Sequence, residues 1–107
     1  KERKHMLIYK EKLPTSTLEI LCVDLPYDNV EAARKSILHV DLQYDEPCMW
    51  YDAIGYDMPT KKYMIIAVGT GHYWEETFTR DMHIGTVLLA GGSLVFHYFL
   101  VEAQASI

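Results

Sequence analysis

Cysteine is scarce in this chain: Cys22 and Cys48 are the only two, and neither they nor the histidines follow a zinc-ligand spacing. Each falls in an apolar strand pattern, so both are expected as buried free thiols in a reducing compartment. Long hydrophobic runs are also missing. The longest is interrupted at Gly91-Gly92, well short of the roughly 20 residues of a membrane-spanning helix. A secretory leader is not expected, because the start is charged and Met6-Leu7-Ile8-Tyr9 is too short for its apolar core. The chain opens at Lys1 without an initiator methionine, so native residues upstream are expected. Positive charge is in deficit as well. A net charge of −5 counts against wrapping duplex DNA or lying on an anionic membrane. These features together predict a cytosolic protein.

The 107 residues suit a single domain, 1–107, and 50% hydrophobic residues is ordinary for a globular core. The richest stretch is His83 to Val101. Two apolar runs, Ile84 to Leu89 and Leu94 to Val101, flank Ala90-Gly91-Gly92-Ser93. A Gly-Gly pair supplies the positive φ angles of a tight primed turn, so the stretch reads as a β-hairpin. Its second strand is bulky on both faces, with Leu94, Phe96, Tyr98 and Leu100 on one and Val95, Phe99 and Val101 on the other. Such a strand needs cover on both sides, at a sheet centre or at a subunit contact.

Upstream, Met6 to Lys12 and Thr17 to Asp24 read as strands, the second with Leu18, Ile20 and Cys22 as its apolar face. Val30 to Ser36 reads as one or two helical turns, with Asp28 or Asn29 as N-cap and Glu31 in the first turn. Ile37 to Tyr44 alternates, with Leu38, Val40, Leu42 and Tyr44 on one face. Asp45-Glu46-Pro47 then turns the chain into a returning strand, Cys48 to Ile54. A further strand, Lys62 to Val68, ends at Gly69-Thr70-Gly71-His72. The expectation is an all-β, mainly antiparallel fold: a small sandwich or barrel of about seven strands with at most one short helix.

The charge is uneven. Residues 24–57 hold eight acids against Arg34 and Lys35, and an acidic surface of this kind can engage a basic partner. The Gly69-Thr70-Gly71-His72 turn is the best ligand candidate. Its glycines let backbone N–H groups converge on an anion, while Thr70 and His72 add side-chain donors. No helix pattern follows it, so it is neither a P-loop nor a dinucleotide fingerprint; the structural alternative is a strand ending in a bulge. His39, His72, His83 and His97 invite a metal or acid–base reading, but nothing in their spacing makes three ligands converge, and neither metal nor cofactor is expected. Ser93 lies in a hairpin turn rather than a nucleophile elbow, and Cys48 has no cationic neighbour to activate it. An enzyme is not expected. Among the aromatics, Trp50 shares a face with Cys48, Asp52 and Ile54 and is expected in the core. Tyr73 and Trp74, beside Glu75-Glu76, are expected at the surface.

Several blocks make the chain resemble a family of small, uncharacterised bacteriophage-encoded β proteins. They are Ile37-Leu38-His39-Val40 with Leu42-Gln43, Pro47-Cys48-Met49-Trp50, Gly69-Thr70-Gly71-His72, Ile84-Gly85-Thr86, and Gly91-Gly92-Ser93-Leu94-Val95-Phe96-His97. The resemblance implies a phage origin, action in the cytoplasm of an infected bacterium and a compact β fold, with no activity, cofactor or catalytic residue attached.

Three functions follow as expectations. The first is a non-enzymatic binding protein that acts on host machinery, including inhibition of an anti-phage defence system, through an acidic and aromatic surface that includes Asp45 and Glu46. The second is an oligomeric sponge for an anionic signalling nucleotide, with Gly69, Thr70, Gly71 and His72 around the phosphates and Tyr73 or Trp74 on the base. The third is a virion structural or assembly component. The partner is thus a host protein or a small anionic ligand, with no direct nucleic-acid or membrane contact. A homo-oligomer is expected from the two-faced hydrophobicity of residues 84–101.

Overall fold

A nine-residue strand near the C-terminus sends side chains into both hydrophobic clusters of the molecule. The computed structural model describes residues 7–17, 19–53, 60–71 and 78–103, and all structural statements concern these. In chain order they form β1 (Ile8–Lys12), β2 (Ile20–Leu25), α1 (Val30–Lys35), β3 (Ile37–Gln43), β4 (Glu46–Asp52), β5 (Lys61–Gly69), β6 (His83–Leu89) and β7 (Leu94–Glu102). A 3-10 turn, Arg80–Met82, precedes β6. One sheet has the order β1-β4-β3 and the other β2-β5-β7-β6, with every neighbouring pair antiparallel. The fold is a seven-stranded, two-sheet all-β structure with one short helix.

The core lies between the sheets. Met49 and Tyr51 of the first face Val23, Leu25, Tyr63, Ile65, Ala67, Val87, Phe96, Tyr98 and Leu100 of the second. The alternate side chains of β5 and β7 point the other way, where Ile66, Val68 and Phe99 form a second cluster under Phe78 and Met82. The Phe78 ring stacks on Phe99 with centroids 5.5 Å apart. Around Phe99 both faces of β7 are therefore covered within one chain, while Leu94 at its start is 53% exposed.

Helix α1 is held at its start by Asn29, whose side chain accepts from the Ala32 N–H at 2.8 Å. Arg34 Nε donates to the Leu100 carbonyl at 3.0 Å, which ties the helix to β7. At the other side of the sandwich the sheet edges β3 and β6 meet. A Cβ on Gly85 would lie 2.5 Å from Val40 Cβ, so only glycine allows this approach.

Several sequence expectations are corrected. In β2 the inward face is Leu21, Val23 and Leu25, while Ile20 is 53% exposed and Cys22 is exposed. The apolar residues fill both faces of this strand, and pattern alone does not say which face meets the second layer. Cys48 is the buried free thiol, but on the outer face of its sheet, between its cross-strand neighbours Lys12 and Asp41. Trp50 shares that outer face and is half-buried, with its ring 5.9 Å from His39. A bulge between Ile37 and His39 takes Leu38 out of the predicted alternation, leaving it 48% exposed. The β6–β7 connection spans four residues rather than a two-residue primed turn, although both glycines take the positive φ expected of them (67° and 96°).

Candidate functional site

The β3–β4 turn is one residue earlier than the sequence suggests. Gln43 pairs with Glu46, which leaves Tyr44 and Asp45 as a two-residue connection with φ of 52° and 67°. Glu46 and Pro47 belong to β4. Two consecutive left-handed residues make a type I′ turn, for which Asn-Gly is the low-energy choice. Here a tyrosine occupies the first position with its side chain 91% exposed. A bulky residue in strained backbone, held outside the core, is a local exception that folding does not explain.

Hydrogen bonds place this turn at the same end of the sandwich as the Gly69–Gly71 turn. The Leu13 N–H donates to the Pro47 carbonyl at 2.9 Å, next to the β3–β4 turn. The buried Tyr98 hydroxyl donates to the Pro14 carbonyl at 2.7 Å. The Gly69 N–H donates to Thr17 Oγ1 at 3.1 Å. Residues 13–17 thus cross from one sheet to the other and put the two turns at one end. The Thr70 N–H donates to the Val95 carbonyl at 2.9 Å, which brings in the β6–β7 hairpin tip. Leu88 and Leu94, flanking that tip, are 56% and 53% exposed. Gly69, Thr70, Ser93, Leu94, Val95 and Phe96 line a cleft of about 210 Å³.

From Thr70 a chain of polar side chains crosses the outer face of the second sheet. Thr70 Oγ1 lies 2.6 Å from His97 Nε2, His97 Nδ1 lies 3.0 Å from Thr86 Oγ1, and Thr86 Oγ1 lies 2.8 Å from His83 Nε2. Burial pushes the His83 imidazole below its ordinary pKa, the neighbouring His97 adds to this, and a hydrogen bond to the Gly85 backbone opposes it. A backbone group that favours the protonated ring is an accepting carbonyl, so neutral His83 keeps its ring N–H there and turns Nε2 to Thr86 as an acceptor. Thr86 then donates to His83 and accepts from His97 Nδ1–H, and Thr70 Oγ1 closes the chain on His97 Nε2. A metal between the two imidazoles would have to displace these bonds. Among the described residues there is no group of three His, Cys, Asp or Glu side chains able to hold one.

The predicted site residues divide as follows. Asp45, Glu46, Gly69, Thr70 and Gly71 come together at this end. His72, Tyr73 and Trp74 lie outside the described residues. The anion cradle expected at Gly69 and Thr70 finds both N–H groups committed to protein acceptors; Gly71, with φ of 89°, lies in the turn that follows β5. Two acids of the segment are ion-paired, Asp24 with Lys62 at 3.1 Å and Glu46 with Lys12 at 3.0 Å. Asp41 lies 3.3 Å from His39 Nε2, and its carboxyl is held below the usual range by the Leu42 N–H first and His39 second. Sequence reasoning placed Tyr44 at the end of a strand and missed Leu88. Counting the two-residue gap between the β3 and β4 alternations would have found the first.

A family model described as a domain of unknown function (DUF7352) matches residues 6–107, and the chain belongs to that family. No curated protein and no solved structure matches the chain.

Proposed function

From membership of a family whose description assigns no activity, and from the crowding of turns at one end of the sandwich, we propose that the chain is a non-enzymatic binding protein that works by contact. The contact surface is the end formed by Tyr44, Asp45, Thr70, Gly71, Leu88 and Leu94. The observation that carries this reading is Tyr44: a 91%-exposed aromatic side chain on a left-handed backbone, where the fold alone favours asparagine. Tyrosine gives a large, rigid contact area with a polar tip, the usual anchor of a protein interface. The exposed leucines at the neighbouring hairpin add apolar area, and the ion-paired acids contribute orientation more than attraction. On the phage resemblance, the partner is a protein of the bacterial host, with a component of anti-phage defence as the specific case and the host cytoplasm as the place of action.

The test is capture from bacterial lysate by the immobilised chain, comparing the native protein with Tyr44→Asn/Asp45→Gly and with Leu38→Ser as a control on an exposed residue outside the proposed surface. Loss of a specific captured protein with the turn variant, and retention with Leu38→Ser, supports the reading. Equal capture by all three overturns it.

A small-ligand function retains one support, the 210 Å³ cleft beside Thr70. Ligand pockets usually occupy about 300–1,000 Å³, and the N–H groups that would bind phosphate are already engaged. Thermal shift against a panel of cyclic and linear nucleotides decides this, and a flat response removes the sponge.

A further inference from the structure

We propose that two copies of this chain pair through β2, joining their four-stranded sheets into one continuous antiparallel sheet. Among the described residues β2 pairs with β5 alone, so its other edge is open. The Ala67 N–H donates to the Glu19 carbonyl, and with the register Ile20↔Ile66 this turns the N–H and C=O groups of Leu21 and Val23 toward β5. The backbone groups of Ile20, Cys22 and Asp24 point to the open edge. These three residues are spaced symmetrically about Cys22. A two-fold axis through Cys22 therefore sets Cys22 against Cys22 and Ile20 against Asp24 of the other copy, and every outward N–H and C=O finds a partner.

The molecule guards its other open edge and leaves this one unguarded. Strand β1 carries Lys10 and Lys12, bonded across the sheet face to Gln43 and Glu46, the charge pattern that keeps edges from pairing. Strand β2 presents Ile20, 53% exposed, and exposed Cys22. Its one charge, Asp24, is already paired with Lys62, so the two-fold brings no unbalanced charges together. A second copy satisfies this edge in full because the edge is complementary to itself about the two-fold axis.

Sedimentation velocity and light scattering of the full chain at about 100 µM test the pairing. The expected mass is twice the 12.4 kDa of one chain. Ile20→Glu sets a carboxylate opposite Asp24 of the other copy, and Cys22→Pro removes an N–H that points away from β5; both are expected to halve the mass with an unchanged circular dichroism spectrum. Directly opposed residues of this kind have Cα atoms about 5.5 Å apart, within disulfide range, so diamide is expected to convert the native chain to a dithiothreitol-reversible covalent dimer and to leave Cys22→Ser monomeric on denaturing gels. A monomeric native protein, or a dimer that persists in both edge variants, overturns the proposal. The covalent trap needs no refolded variant, so it still decides if one fails to fold.

Discussion

Gly85→Ala adds one methyl group where the two sheets touch, and the structure gives the size of the collision. The new Cβ would lie 2.5 Å from Val40 Cβ and 2.7 and 2.8 Å from its two methyls. Carbon atoms settle at about 3.5–4.0 Å, so the overlap exceeds about 1 Å. Rotating the valine moves only its methyls; its Cβ is attached to the backbone and stays. Relief requires β3 and β6 to separate, which places the cost toward the upper part of the range for overpacking, about 2–3 kcal/mol. For a domain of this size that lowers the melting temperature by roughly 10 °C. The partner residue supplies the decisive control. Val40→Ala removes the methyls but leaves the nearest atom, so it rescues Gly85→Ala only in part. Val40→Gly removes that atom too. It costs about 2 kcal/mol alone, from lost burial and strand propensity, yet adding Gly85→Ala to it is expected to cost almost nothing further. Urea unfolding followed by circular dichroism measures all the variants. The reasoning fails if Gly85→Ala is neutral, or if Val40→Ala rescues it as fully as Val40→Gly.

Replacing Tyr44-Asp45 by Asn-Gly is expected to raise stability by about 1–2 kcal/mol, because both residues then take positive φ without strain; a lower melting temperature would contradict the turn assignment. Tyr98→Phe leaves the buried Pro14 carbonyl without its donor and is expected to cost about 1–3 kcal/mol, read from the urea midpoint. His83 has a folded-state pKa below its unfolded value, so the unfolded chain binds the proton more readily. Stability is then full above about pH 6.5 and declines as pH falls toward the folded pKa. Melting temperatures between pH 7.5 and 5.5 should fall more steeply in the native protein than in His83→Asn. In native protein, Cys22 is expected to react with a thiol reagent at once and Cys48 only on unfolding, as counted by mass spectrometry.

The strands themselves were legible before any coordinates. Alternation and turn residues located all seven, since a strand's period of two and a glycine's positive φ are properties of the chain within a few residues. The two-faced apolar pattern of β7 correctly implied cover on both sides. What provides the cover was not legible, because the β1-β4-β3 sheet and Phe78 reach β7 from other parts of the chain. The same limit explains β2. Ile20 and Leu21 are equally apolar, and only packing against the other layer makes one an exposed edge residue and the other part of the core. Asp24, Glu46 and their lysines lie far apart along the chain, so these two ion pairs exist only once the sheets have formed. The site at the loop end has the same origin. Tyr44, Thr70 and Leu88 carry no shared motif, and they become neighbours because residues 13–17 bind one sheet to the other through Pro47, Tyr98 and Gly69. Local geometry depends on neighbours in sequence and can be read there; which face turns inward, and which turns meet, depends on contacts that exist only once the two layers have closed.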